Sequence, residues 1–237
     1  NAKKYDKAVA WADSLINQYP FSDVTASTLL LKGLSLNSLQ QYQKAREVFQ
    51  SIVAKYPESH ENVAAKVQIG FTLFQEGKHE DALAAYNEVL KKYPEEVDSS
   101  HVYFEMQNVL YELNRYDEAI AAFNYVKFGT PYYPAAFGKL IKIYGSRSEY
   151  DKGEALLDSL LKLDENADSV YYKPDIYFAL ADLSISKNDF AAAVTHLSKV
   201  AEDSTADESK HVLKLQARYA RGILNYQLNN FDDAIND

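Results

Sequence analysis

Apolar residues return along this chain in steps keyed to a small residue. The small residues are Ala8, Ala45, Ala82, Ala119, Gly153, Ala193 and Ala234, at intervals of 37, 37, 37, 34, 40 and 41. Four positions after each of the first six come Ala12, Phe49, Tyr86, Phe123, Leu157 and Leu197. Seven after come Leu15, Ile52, Val89, Val126, Leu160 and Val200. Offsets of four and seven share one face of an α-helix, so each set predicts an amphipathic helix with a buried stripe. Twelve after the first four small residues stand Pro20, Pro57, Pro94 and Pro131. Proline lacks the amide that a helix needs and restricts the residue before it, so each helix is expected to end there.

A second apolar set precedes each of these helices. Twelve before the small residue lie Gly33, Gly70, Gln107, Ile141, Ala181 and Gly222, within a further predicted helix. Between the two helices fall Gly77, Asn114, Asn188 and Asn229, residue types that tolerate the left-handed backbone closing a helix. The unit is therefore helix, tight turn, helix. A small residue on each helix lets the backbones approach, and the large residue four later fills the space beside that contact. One pair cannot bury both of its faces, so pairs must stack to make a core.

The pattern resembles the tetratricopeptide repeat (TPR) family, whose signature runs W-x2-L-G-x2-Y, then A-x3-F, then P. The third unit carries Ile69, Gly70, Leu73, Ala82, Tyr86 and Pro94 at the matching offsets, and the second carries Gly33, Leu36, Ala45, Phe49 and Pro57. The match is strongest over residues 3–131; beyond, Gly153 replaces Ala and Glu165 and Thr205 replace the closing Pro. The family's unit is about 34 residues, so the early units here are three longer. The extra residues must lie between each Pro and the next Gly, which predicts a first helix about one turn longer. In this the chain is similar to longer-repeat TPR proteins of the bacterial cell envelope. The resemblance implies an all-α fold, a right-handed TPR superhelix of stacked antiparallel helix pairs. It implies one solenoid over 1–237 with about six repeats, drawn from a longer repeat protein. Residues 1–2 resemble a tag remnant. By the same resemblance the periplasmic side of the envelope is favoured over the cytoplasm.

Composition narrows the chemistry. Apolar residues make up 47% of the chain, too many for a disordered one. The net charge is −9, and no basic stripe of the kind that marks a nucleic-acid binder interrupts it. There is no Cys, so thiol catalysis, disulfides and Cys-ligated metals are excluded. No apolar run is long enough to span a membrane. His60, His79, His101, His196 and His211 form no metal-ligand spacing, and His79 takes the place of Tyr42 and Tyr116 in the repeat. No phosphate-binding or nucleophile motif occurs, so neither cofactor nor catalytic residue is assigned. The acidic segment 202–208 is expected to be a solvated loop. Tyr132-Tyr133 and Tyr171-Tyr172 are expected in linking loops, where they staple loops to neighbouring helices or form a second contact surface.

TPR proteins hold peptides in a groove lined by their first helices. Carried over by offset, the groove positions are Phe71 and Phe74, then His101, Phe104, Asn108 and Tyr111, then Asp175, Phe178 and Asp182, and Tyr219. Aromatic side chains there offer much contact area at little entropic cost; equally, aromatics at helical spacing pack between repeats. The family's clamp for a C-terminal carboxylate needs Lys where Leu30, Val67, Phe104, Gly138 and Phe178 stand, so that clamp is absent. The reading is a non-catalytic protein–protein interaction scaffold with a protein or peptide partner, and with self-association through uncapped ends as a further possibility. The alternative is an auxiliary module of an envelope enzyme or glycan-handling complex.

Overall fold

The computed structural model describes residues 2–20, 22, 24–167, 172–204 and 210–237. Among them are thirteen α-helices and no strand. They fall into two compact units, Asn1–Val126 and Lys127–Asp237. The first holds α1 (Ala2–Gln18), α2 (Thr25–Ser38), α3 (Tyr42–Lys55), α4 (Glu61–Gln75), α5 (His79–Lys92), α6 (Ser99–Glu112) and α7 (Tyr116–Phe123). The second holds α8 (Tyr133–Ser146), α9 (Tyr150–Glu165), α10 (Lys173–Ser186), α11 (Phe190–Ala201), α12 (His211–Gln227) and α13 (Phe231–Asn236).

In each unit successive helices pack as antiparallel pairs: α2 with α3, α4 with α5, α6 with α7, and α8 with α9, α10 with α11, α12 with α13. First helices lie beside first helices, α2 by α4 and α4 by α6, and likewise α8 by α10 and α10 by α12. The stripe predicted from spacing is the core. Ala45, Phe49, Ile52, Ala82, Tyr86, Val89, Leu157, Leu160, Leu197 and Val200 are all buried. In α1, which packs against α2, only Ala12 of the stripe is buried, and Leu15 is exposed.

The reason for the glycines on the first helices is steric. A Cβ on Gly70 would stand 2.6 Å from Cε1 of Tyr86, and one on Gly33 would overlap the ring of Phe49. Phe49 and Tyr86 of these second helices thus lie against the bare backbone of their partners.

The turn between paired helices is the same in every complete pair. Five residues before each small residue the backbone is left-handed: Gln40 (φ 59°), Gly77 (76°), Asn114 (57°), Ser148 (57°), Asn188 (60°) and Asn229 (64°). The sequence marks four of the six. Gln40 and Ser148 carry no signal for this conformation and pay its cost of roughly 1–2 kcal/mol. Gln40→Gly or Ser148→Gly is therefore expected to raise stability by about 0.5–1 kcal/mol, the strain relieved less the extra freedom of the unfolded glycine. Chemical denaturation checks this, and an unchanged or lowered midpoint refutes it.

Two expectations are corrected. α7 does not run to Pro131; it ends at Phe123, and the chain winds into tighter turns, with Tyr125 N donating to Ala122 O and Val126 N to Phe123 O. Val126 nonetheless reaches the core, and Tyr125 stacks on Tyr103 at 4.4 Å. The added residues of the early units do not lengthen the first helix by a turn: α4 and α6 have 15 and 14 residues, against 14 in α8 of the shorter unit. α4 begins four residues past Pro57 and α6 five past Pro94, against two from Pro131 to α8, so the turn before the helix takes up the extra length.

Candidate partner-binding faces on the first helices

In the first unit the groove candidates lie on α4 and α6, and all are half-buried. Phe74 leans on His79 (centroids 5.4 Å apart) and Tyr111 on Tyr116 (5.6 Å). In the second unit Tyr226 meets Phe231 in the same way at 5.6 Å. This repeated contact joins the last turn of a first helix to the first residue of its partner. It gives His79 the packing role expected of it, and it commits one side of Phe74 and Tyr111 to the pair.

Of the remaining candidates in this unit, His101 lies at the surface shared by α4 and α6. Between the N-terminal turns of these helices is a cleft of about 190 Å³ with Val63, Val67 and Val97 on its floor and His60, Gln68 and His101 around it. Asp98, also at the cleft, caps α6 by accepting from Ser100 N at 3.1 Å and His101 N at 3.3 Å. That cap fixes where His101 emerges, and its Nε2 lies 3.5 Å from Glu105. Gln68 accepts from Asn37 Nδ2 at 3.1 Å, tying α2 to α4. Phe71 and Asn108 occupy the same register position on α4 and α6, and Phe104 lies one turn before Asn108.

In the second unit Asp175, Phe178 and Asp182 lie on one face of α10. Asp175 is paired with Lys210 at 2.5 Å, and that ammonium lies 5.8 Å from the Tyr172 ring centre. Burial pushes the Asp175 carboxyl up, against the opposing pull of Lys210. Burial also raises Asp182, with only the more distant charge of Lys142 countering it. Phe178 packs against the core of α10, α11 and α12, so its ring is largely spoken for. Tyr219 on α12 is largely presented to solvent.

One tyrosine of each pair, Tyr133 and Tyr172, staples the second unit. Tyr133 opens α8 rather than lying in a loop, and it stacks on Tyr172 at 5.7 Å. Phe128 meets both edge-on at 5.3 Å, and Tyr172 Oη donates to Thr130 O at 2.7 Å. Asp164, at the end of α9, accepts from Tyr172 N at 2.6 Å and Lys173 N at 3.1 Å. Sequence reasoning missed Asp164, because an Asp near a helix end carries no sign of its distant amides. Tyr171, and 205–208 of the acidic segment, lie outside the described residues; Glu202 within it pairs with Arg221 at 2.7 Å.

Sequence reasoning also missed most of an apolar stripe on α12. Val212, Leu215, Tyr219, Ile223 and Tyr226 are all exposed, and Phe231 and Ile235 of α13 extend the patch. By spacing alone such a stripe reads as core. Among the described residues no group of His, Asp or Glu could hold a metal ion, and no helix is long and apolar enough to cross a membrane.

Models of the tetratricopeptide repeat match the chain at residues 27–59 and 67–134. The fold is shared with solved TPR structures. A tetratricopeptide repeat protein from Parabacteroides merdae superposes with a TM-score of 0.63 at 16% identity, over 98% of this chain and 90% of that one. The pilF protein of Pseudomonas aeruginosa gives 0.60 at 16% identity, over 89% and 87%. A thermophilic TPR protein of Thermus thermophilus gives 0.52 at 21% identity, over 81% and 98%. No curated protein matches the chain. Over those two segments the chain carries tetratricopeptide repeats, and its fold is that of the tetratricopeptide repeat proteins, an all-α class of stacked helix pairs whose members serve in general as non-catalytic protein–protein interaction modules.

Proposed function

We propose that this chain is a non-catalytic scaffold that holds a protein or peptide segment against its first helices. In the first unit the contact surface is formed by Phe71, Phe104 and Asn108 with the rim of His101, and Phe74 and Tyr111 support it from the helix-pair turns. In the second unit Asp175 and Asp182 flank Phe178 on α10. The observation that carries this reading is the half-buried aromatic surface at register positions that the turns and caps hold rigid. A rigid aromatic surface binds at little entropic cost. The half-buried carboxylate of Asp182 suits a segment carrying Lys or Arg, since that of Asp175 is already met by Lys210.

The test is affinity capture from the source cell with the parent chain and with Phe71→Ala/Phe104→Ala. Both side chains are only half-buried, so the variant is expected to keep its circular dichroism spectrum. Partners seen with the parent should fall at least tenfold, the effect of losing about 1.4 kcal/mol. Undiminished recovery of every partner by a folded variant removes these faces from the binding site.

A further inference from the structure

We propose that the partner-binding face of the second unit selects arginine: a partner segment runs over the bare backbone of Gly138 on α8 and sets a guanidinium on the carboxylate of Asp182 on α10. This rests on the partner-binding reading above and names the chemistry that the second unit takes.

Asp182 occupies the register position of Phe71 and Asn108, eleven residues before the small residue of its second helix. It is half-buried, and among the described residues its carboxylate makes no hydrogen bond and no ion pair. Lys142 holds the same register position on α8, but it is exposed and acts on Asp182 only from a distance. Asp175, two turns earlier on the same face, shows the satisfied case, since Lys210 meets it at 2.5 Å. A charge partly withdrawn from water and left without a partner is unfavourable. What Asp182 lacks is a cation arriving from outside the chain.

Gly138 is an independent observation. It lies inside α8, where glycine is the least favourable residue apart from proline. Every other helical glycine among the described residues has a neighbour in the space of its missing Cβ: Phe49 for Gly33, Tyr86 for Gly70, Ser186 for Gly145, Leu183 for Gly153 and Asp237 for Gly222. A Cβ on Gly138 would meet nothing within 4 Å. Packing gives no reason for this glycine, and its open backbone is a place where another main chain can come close. Gly138 and Lys142 are one turn apart, so the open space lies on the face of α8 that carries the matching register position.

Arginine fits these features better than lysine. α8 and α10 pack side by side, and packed helix axes lie roughly 8–10 Å apart, so a main chain over α8 needs a long side chain to reach α10. Neither oxygen of Asp182 is engaged, so a planar guanidinium can take both together, whereas an ammonium acts as a single point. The guanidinium is also the less hydrated cation and loses less on entering a half-buried site. Phe178, one turn before Asp182, is half-buried and offers apolar surface to the stem of the side chain. Lys142 repels either cation alike and leaves the preference unchanged.

Selection from a phage library of random twelve-residue peptides on the whole chain tests this. Arginine, and not lysine, is expected to be enriched at one position. The affinity of the most enriched peptide, read by fluorescence anisotropy, should fall about tenfold with Asp182→Asn, the effect of losing a charged acceptor. Changing its arginine to lysine should weaken it about fivefold, through loss of the two-point contact. Gly138→Ala should weaken it about threefold and yet raise the melting temperature by roughly 2–4 °C, the gain of alanine over glycine in a helix. Asp158→Asn, on the exposed side of α9, should leave the affinity as it is. Selection without arginine enrichment, equal binding of the lysine peptide, or unchanged affinity in either folded variant overturns the proposal. Peptide binding that survives Asp182→Asn but falls with Phe71→Ala/Phe104→Ala would overturn it and leave the first unit's contact surface standing. An arginine peptide lost with Asp182→Asn and indifferent to Phe71→Ala/Phe104→Ala would uphold it whatever becomes of that surface.

Discussion

Gly70→Val is expected to destabilise the first unit by about 3 kcal/mol, at the upper end of ordinary overpacking. The Tyr86 ring occupies the space where the new side chain must go, with three ring atoms within 2.9 Å of its Cβ. Tyr86 cannot swing aside. It is fully buried, and burial pushes its phenol well above the usual tyrosine range, the mark of a group shut away from water. Its neighbours on the stripe, Ala82 and Val89, are buried as well. A loss of that size corresponds to a fall in melting temperature of roughly 6–12 °C for a chain of this length. Differential scanning calorimetry reads it directly. Adding Tyr86→Leu to Gly70→Val should recover part of the loss, because the two sites share one space and their effects cannot add. A neutral Gly70→Val, or strictly additive losses in the pair, would disprove the ring-on-glycine packing.

The second large effect is expected in the other unit. Asp164→Ala should cost about 2 kcal/mol, the scale of removing a charged acceptor from buried donors. The carboxylate is buried and takes both Tyr172 N and Lys173 N, the two amides that lead into α10. Without it those amides have no side chain to receive them, and the start of α10 is released together with Tyr172. The stack of Tyr172 on Tyr133 and its bond to Thr130 should loosen in turn. Amide hydrogen exchange should therefore show faster exchange across 173–176 in the variant. Tyr172→Phe, which removes only the hydroxyl, should lose about 1 kcal/mol and leave that exchange slow. Equal protection in Asp164→Ala and the parent would show that the carboxylate does not hold the helix start.

Much of the fold was legible because its causes are local. Small residues at 45, 82, 119 and 193, large ones four later and Pro at 57 and 94 act through the helix on which they lie. Glycine and asparagine at 77, 114, 188 and 229 announce a left-handed turn, because only those types enter it readily. Gln40 and Ser148 adopt the same turn because the pair geometry imposes it on whatever residue is there. The early end of α7 was hidden for a related reason. Val126 keeps its place on the stripe whether it is carried by an α-helix or by a tighter turn.

The candidate faces divide along the same line. The sequence by itself determined which positions the first helices would present, since helical offset depends only on counting residues. Only the tertiary structure decided how each is used. It bound Phe74 to His79 and Tyr111 to Tyr116, drew Phe178 toward the core and paired Asp175 with Lys210. It also left the apolar stripe of α12 in water, although that stripe follows the same spacing as the buried ones. The physical reason is that periodicity states which side of a helix is apolar, whereas burial depends on whether another helix arrives to cover it.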